Sequence, residues 1–272
     1  MQELKVNSNL SSKVERLKHI FKDKIVIVAF SGGVDSTLLA YFALKFSKKA
    51  ICVFVRDPSM SANERENAES VASTLGLDFR IIDNNEFKNP DFIANPPNRC
   101  YFCKKGLGKE LITFSQSIQG EDVLIVEGTN ASELQGHRPG KKALEELGIQ
   151  SPLADVNLSK AEIRELARKI GLPNSEKPSM ACLSSRVAYG LEITVERLGR
   201  IAKAEDYLAQ EGIQIIRVRD HGNLARIEIG KDERTKFFDL EMMDRVSEYL
   251  KQIGFTYVCL DLEGYRTGAM NE

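Results

Sequence analysis

A buried strand that runs straight into a glycine turn and then a helix constrains this chain more than any other feature. Lys24–Phe30 reads KIVIVAF, a β-branched run suited to a strand covered on both faces. SGGVDS follows at once, and TLLAYFALKFS then places apolar residues at helical spacing. The alternation repeats. KAICVFVRD is a second strand, followed by a helix from near Ser61, whose spacing to Glu64 resembles a capping box. DFRIID is a third strand, with a helix in GKELITFSQSIQG after it. DVLIVEGTN is a fourth strand, and SKAEIRELARKIGLP is an amphipathic helix stopped by Gly171 and Pro173. Strands alternating with helices predict an α/β fold built on a doubly wound parallel sheet. In such sheets ligands sit at the carboxyl ends of the strands.

The pattern changes after Ala188. A helix in TVERLGRIAKAEDYLAQEG precedes two strands in IQIIRVRDHGNLARIEIG, joined by a turn at His221–Asn223. A helix in RTKFFDLEMMDRVSEYLKQIG and a strand in YVCLDLEGYRTG complete the order. This predicts a first domain over residues 1–188 and a smaller C-terminal α+β domain over 189–272. The 272 residues suffice for two cores. A net charge of −1 gives no broad electrostatic reason to bind nucleic acid or an anionic membrane. No apolar run approaches the ~20 residues that span a bilayer. The N-terminal MQELKVNSNLSSKVERLKHIF lacks the apolar core of a signal peptide, so the expected compartment is the cytoplasm, where disulfides are rare.

In the SGGVDS loop, Gly32 and Gly33 let the backbone turn tightly and come close to a ligand. Loop amides and the helix N-terminus then favour an anion, and Ser31, Ser36 and Thr37 add hydroxyls. Asp35 would repel a bare phosphate, which points to Mg²⁺ between the carboxylate and a pyrophosphate. On physics alone an ordinary Gly-Gly turn remains an alternative. The five cysteines pose a separate question. Cys100 and Cys103 form a Cys-x-x-Cys pair that fits a redox dithiol, half a zinc site or part of an iron–sulfur site. Cys52 and Cys259 lie inside apolar strand runs and are read as buried small hydrophobes.

SGGVDS resembles the pyrophosphate loop of the ATP pyrophosphatase (PP-loop) superfamily, which cleaves ATP between the α and β phosphates. KPSMACLSSRVAYG, RVRDHGNLARIEI and LDLEGYRTGAMN extend the resemblance to the LarE sulfur transferases of lactate racemase cofactor synthesis. The resemblance implies an adenine nucleotide alpha-hydrolase-like sheet, ATP and Mg²⁺. It also implies adenylation of a carboxylate of a pyridinium dicarboxylate mononucleotide, followed by sulfur attack that expels AMP and leaves a thiocarboxylate for a nickel-pincer cofactor. One branch of that family sacrifices a cysteine. Aligning Ser184-Ser185-Arg186 places Ala181 at that position, so this chain departs from the sacrificial pattern and has Cys182 one residue later. A second branch binds a [4Fe–4S] cluster through three cysteines, here Cys100, Cys103 and Cys182. Three thiolates leave one iron open for an external sulfide. Competing readings are a Cys₃His zinc site using His137, a Cys100–Cys103 dithiol with Cys182 as sulfur carrier or as a sacrificial donor, and structural cysteines.

Around the nucleotide, the resemblance and the switch-point rule together select Ala29, Ser31, Gly32, Gly33, Asp35, Ser36, Thr37, Val55, Gly128 and Thr129. Glu133 is a candidate for substrate or metal. Arg217 and Arg219 share one strand face, with Arg226 on the neighbouring strand and Arg266 on the last. Guanidinium forks suit phosphate and carboxylate, and the resemblance favours Arg217, Arg219 and Arg266 for substrate. Ser185 and Arg186 beside Cys182 are candidates for the reacting centre, and Glu228 for an interface or metal carboxylate. The second domain is expected to bind substrate, take part in sulfur transfer and support a homo-oligomer. Expected partners are a small nucleotide-like substrate and either sulfide or a sulfur-donor protein. A tRNA thiolation enzyme would share the loop and three cysteines, but the acidic balance and lack of an added RNA-binding domain argue against it. A non-catalytic nucleotide sensor would leave Asp35 without a purpose.

Overall fold

The computed structural model describes residues 7–58, 60, 62–118, 122–134, 139–177 and 182–266. In chain order the first elements are α1 (Ser8–Phe21), β1 (Ile25–Ala29), α2 (Val34–Phe46), β2 (Lys49–Arg56), α3 (Ala62–Leu75), β3 (Phe79–Asp83), α4 (Pro90–Ile93) and α5 (Arg99–Gln116). There follow β4 (Val123–Val126), α6 (Pro139–Glu146), α7 (Pro152–Asp155), α8 (Lys160–Ile170), α9 (Val195–Gln210), β5 (Ile216–Asp220), β6 (Leu224–Ile229), α10 (Leu240–Gln252) and β7 (Tyr257–Leu260). The chain divides into two compact units. One comprises Met1–Asn85 with Cys100–Met180, and the other Glu86–Arg99 with Ala181–Glu272. Glu86–Arg99, which the sequence reading assigned to the first domain, thus groups with the second unit. The Ser61 cap expected for α3, together with His137 and Ala181, lies outside the described residues.

In the first unit, β1 to β4 form a parallel sheet in the order β3-β2-β1-β4. Both faces are covered, as the unbroken apolar runs require. Val26, Val28, Cys52 and Phe54 point to the face occupied by α2 and α8 residues such as Leu38, Phe42 and Leu166. Ile27, Ile51, Val53 and Val55 point to the other, against Leu111 of α5 and Leu144 of α6. Helix α8 ends are set locally: Ser159 and Glu162 form a reciprocal capping box, and Gly171 takes a left-handed φ of 82° at the C-cap. Helix α5 begins earlier than the sequence suggested and carries the cysteine pair in its first turn. Gly106 and Gly108 read as breakers there. Yet a Cβ on Gly108 would lie 2.5 Å from Leu147 Cδ1, so that glycine serves close packing of the helix.

In the second unit, β5 pairs antiparallel with β6, and β6 parallel with β7. Residues 221–223 make the expected turn, with Gly222 at φ 83°. The two faces of this sheet differ in chemistry, one apolar and one charged. Ile216, Val218, Ala225, Ile227 and Ile229 pack with Leu208 of α9 and Val246 and Leu250 of α10. The opposite parity carries Arg217, Arg219, Arg226, Glu228, Tyr257 and Cys259. Cys259 is therefore corrected: it is exposed, because alternation on the edge strand β7 turns it away from the covered face. Residues 234–238, expected within a helix, belong instead to the 3₁₀ segment Lys231–Phe238, and α10 starts at Leu240 behind the Asp239 cap. Arg266, expected on the last strand, lies beyond the end of β7. No helix of the described residues is long and apolar enough to cross a membrane.

The two strand cysteines should respond oppositely to substitution. Burial pushes the Cys52 thiol up to about 12, with Asp78 adding to it, so Cys52 behaves as an apolar side chain. Cys52→Ser should cost about 1–3 kcal/mol through an unsatisfied buried hydroxyl. Cys259→Ser should fall within about 0.5 kcal/mol of wild type, as exposed substitutions do. Urea denaturation of both variants measures the contrast.

Candidate active site

The strand order reverses between β1 and β4, which opens a crevice at their carboxyl ends. Residues 30–37 fill one side of it. Gly32 is required twice over: its φ is 70°, and a Cβ would lie 2.7 Å from the Ala68 Cα of α3. Its carbonyl accepts from Asn174 Nδ2 (2.8 Å) and Asn67 Nδ2 (3.2 Å). Asn174 Nδ2 also donates to Thr37 Oγ1 at 2.9 Å. Thr37 is fully buried, so its hydroxyl braces the loop from beneath. Above it, Ser31 Oγ and Ser36 Oγ stand 3.1 Å apart, and Ser36 Oγ donates to the Gly33 carbonyl at 3.1 Å. Gly33 is the N-cap of α2 and supplies no side-chain cap. The first amides of α2 consequently point out as donors at the positive end of the helix dipole.

The other side of the crevice comes from the segment after β4. A Cβ on Gly128 would lie 3.1 Å from Ser36 N and 3.3 Å from Asp35 Cβ, so glycine lets the two loops touch. Glu127 is buried and accepts from Thr129 N (3.0 Å), Thr129 Oγ1 (2.9 Å) and Ser151 Oγ (2.5 Å), which fixes the exit of β4. Asp35 is bound by Lys160 Nζ from the start of α8, and Asn130 Nδ2 reaches its Oδ1 at 3.4 Å. Asn130 is wholly buried, and its own Oδ1 has no hydrogen-bond partner among the described residues. A carboxylate beside an unsatisfied carboxamide oxygen is a donor set that suits a hard cation such as Mg²⁺. Glu133 sits nearby in sequence, in the 3₁₀ turn Ala131–Leu134. Ala29 ends β1, while the Val55 side chain is enclosed in the core. Lys160, Asn130 and Asn174 were not singled out from sequence. Lysine in SKAEIR reads as a solvated helix start, and only the fold brings it to Asp35.

Cys100 and Cys103 are three apart in the first turn of α5 and so lie on one face of that helix; the first is exposed and the second half-buried. Among the described residues no three His, Cys, Asp or Glu side chains are grouped as a metal site. In the second unit, exposed Cys182 precedes the 3₁₀ turn Leu183–Arg186. Its carbonyl accepts from Ser185 N (3.0 Å), Ser185 Oγ (2.7 Å) and Arg186 Nη1 (3.0 Å). Arg186 is buried and forms a two-pronged pair with Glu205 (2.9 and 3.1 Å), which in turn accepts from Val218 N at 3.0 Å. Ser185 and Arg186 therefore hold the backbone that presents Cys182.

The arginines of the open sheet face differ in their partners. Arg219 donates to Glu228 (2.7 Å) and to the Ser185 carbonyl (3.1 Å), and Arg226 donates to the other Glu228 oxygen (2.9 Å). Glu228 is thus neutralised within the sheet. Arg266 pairs with Glu263 at 2.8 Å. Arg217 makes no ion pair with a described carboxylate. It donates to the Ile216 carbonyl, and its guanidinium lies 5.0 Å from the Tyr265 ring centroid. Burial, with Arg186 close by, pulls its pKa below the usual arginine value. A half-buried cation in that setting is suited to an incoming anion.

Sequence comparison agrees with this geometry. A PP-loop domain pattern matches residues 5–87. An uncharacterised protein of Synechocystis is 39% identical, the match covering 96% of this chain and 98% of the relative. One from Methanocaldococcus jannaschii is 36% identical, over 92% and 94%. The pyridinium-3,5-bisthiocarboxylic acid mononucleotide synthase of Lactiplantibacillus plantarum is 32% identical, over 97% and 96%.

Gly32→Ala should cost about 1–2 kcal/mol from the left-handed backbone alone, with the Ala68 contact adding to it, and should weaken ATP binding. Urea denaturation and titration calorimetry check the two effects. A destabilised variant with unchanged ATP affinity would detach the loop from the nucleotide.

Proposed function

The chain belongs to the LarE-type family of ATP-dependent sulfur transferases within the PP-loop superfamily, and from that membership we propose how it works on a pyridinium dicarboxylate mononucleotide. A substrate carboxylate oxygen attacks the α-phosphorus of ATP, pyrophosphate leaves, and an acyl adenylate forms. A sulfur nucleophile then attacks the acyl carbon, AMP leaves and a thiocarboxylate remains. Activation is needed because oxide is a poor leaving group, whereas AMP is a good one.

The observation that carries this reading is the uncapped N-terminus of α2 at the reversal between β1 and β4. The amides of Val34, Asp35 and Ser36 donate to the departing pyrophosphate, and Ser31 and Ser36 orient it. Asp35 and Asn130 would hold Mg²⁺, which neutralises pyrophosphate charge when bound. Lys160, released from Asp35, turns to the phosphates. The Gly128–Thr129 backbone, with the ends of β1 and β2 at Ala29 and Val55, borders the nucleotide. Arg217 takes a substrate carboxylate or phosphate, with Arg219 and Arg266 as further anion contacts and Glu133 as a polar contact to substrate. For sulfur, the three thiols Cys100, Cys103 and Cys182 are soft ligands at or near the surface, a set that suits iron. They would hold a [4Fe–4S] cluster, which when bound supplies an iron open to sulfide.

Two substitutions separate the halves of the reaction. Asp35→Asn should abolish most substrate-dependent pyrophosphate release. Arg217→Ala should raise the substrate KM by an amount equivalent to about 1.5–3 kcal/mol, the scale of a charge-assisted bond, with ATP affinity unchanged. Collapse of ATP binding in Arg217→Ala would reverse that division.

Serine at Cys100, Cys103 or Cys182 should strip iron from the anaerobically prepared protein and end multiple turnover with added sulfide. Serine at Cys52 or Cys259 should spare both. Loss of one H₂S from the mass of Cys182 after a single turnover would replace the cluster reading with a sacrificial one.

A further inference from the structure

A peptide group between two glycines meets little steric resistance to turning over, because neither neighbour carries a Cβ. The Gly32–Gly33 peptide is such a group. Its carbonyl and its N–H point in opposite directions across the planar trans bond. One orientation therefore offers a donor to an anion, and the other offers a carbonyl that repels it. In this chain the carbonyl is turned inward. The Gly32 oxygen accepts from Asn174 Nδ2 at 2.8 Å and from Asn67 Nδ2 of α3 at 3.2 Å. The Gly33 N–H is thereby turned outward, where it meets Ser31 Oγ at an exposed 3.4 Å. A bond that long yields easily to a better acceptor.

The surroundings of Asn174 explain why a carboxamide stands there. Its Nδ2 also donates to Thr37 Oγ1 at 2.9 Å, so one side chain ties the turn to α2. Asn174 is only 4% exposed, and its Oδ1 has no hydrogen-bond partner among the described residues. Burying an unpaired acceptor is unfavourable, and a leucine of similar size would avoid it. What the carboxamide provides in return is its pair of donors. The segment carrying it is pinned as well, since Arg164 of α8 donates to the carbonyls of Ser175 (2.8 Å) and Lys177 (2.9 Å). All of these residues belong to the first compact unit. We propose that Asn174, seconded by Asn67, is a positioning residue for the pyrophosphate of ATP, holding the Gly32–Gly33 peptide with its N–H toward the anion. The inference rests on the reading of residues 31–37 as the ATP pyrophosphate loop.

Asn174→Leu tests it by removing both donors at nearly constant volume. Titration calorimetry of the full chain in Mg²⁺ buffer compares ATP, inorganic pyrophosphate and AMP. Affinity for ATP and pyrophosphate should fall by about 10–100-fold, the scale of one lost charge-assisted bond, while AMP, which lacks the pyrophosphate, binds as to wild type. Amide exchange followed by NMR reads the peptide directly. Saturating pyrophosphate should slow exchange at Gly33 by about tenfold or more in wild type. In the variant Gly33 should stay fast while Val34 and Asp35 still slow. If Asn174→Leu fails to fold, Asn67→Ala carries the same selective loss at about 2–10-fold, the scale of a neutral bond. Unchanged pyrophosphate affinity in the folded variant would overturn the inference and leave the loop reading standing. An equal loss for AMP, in step with a lowered thermal midpoint, would make Asn174 a support of the fold alone and overturn it too. A wild-type protein that binds neither ATP nor pyrophosphate would defeat the loop reading and the inference together.

Discussion

The reversal of strand order between β1 and β4 sends the chain to opposite faces of the sheet from two neighbouring strand ends. Helix α2 leaves β1 for one face, where Leu38 and Phe42 join the core, and α6 follows β4 to the other through Leu144. Nothing in the sheet fills the crevice between them. The loops on its rim are therefore free to specialise, and their packing shows how far they have. Gly32 gives up a Cβ to α3, Gly128 gives one up to the loop after β1, and Gly33 leaves α2 without a side-chain cap. Each of these sacrifices stability that a capped, alanine-bearing loop would keep. Together they expose backbone donors to an anion.

Charge in that crevice is arranged around Asp35. A carboxylate at the N-terminus of α2 is favoured by the helix dipole, but it would repel a nucleotide if left alone. Lys160 resolves the conflict in the free protein, and Asn130 offers a second oxygen from a buried carboxamide. The same accounting in the second unit separates its arginines. Arg186 is matched by Glu205, and Arg219 and Arg226 share Glu228, so these groups hold backbone and sheet together. Arg217 is supported by a carbonyl and an aromatic face rather than by a described carboxylate.

The elements that depend on period and caps were legible in the sequence. The four parallel strands, the stop of α8 at Gly171, and the turn at 221–223 all follow from local rules. So did the glycine loop, because a strand, two glycines and a helix admit few conformations. Features set by tertiary contact were not. Cys259 sits in an apolar run that looks buried, and alternation along the edge strand β7 turns it outward. The start of α5 was hidden by Gly106 and Gly108, and the value of Gly108 lies in packing against Leu147 and Ile149. Lys160 and Asn174 are ordinary residues in sequence and acquire meaning only beside Asp35, Gly32 and Thr37.

The grouping of Glu86–Arg99 with the C-terminal residues bears on why the cysteine pair stands where it does. A helix whose first residue belongs to one compact unit and whose remainder belongs to the other cannot be positioned by its own packing alone. The later turns of helix α5 are held by Leu111 in the core of the first unit. Its first residue is held by Asn95 and Tyr189 instead. Cysteines placed so close to that start are accordingly sensitive to both anchors, whereas the same pair in mid-helix would answer to one.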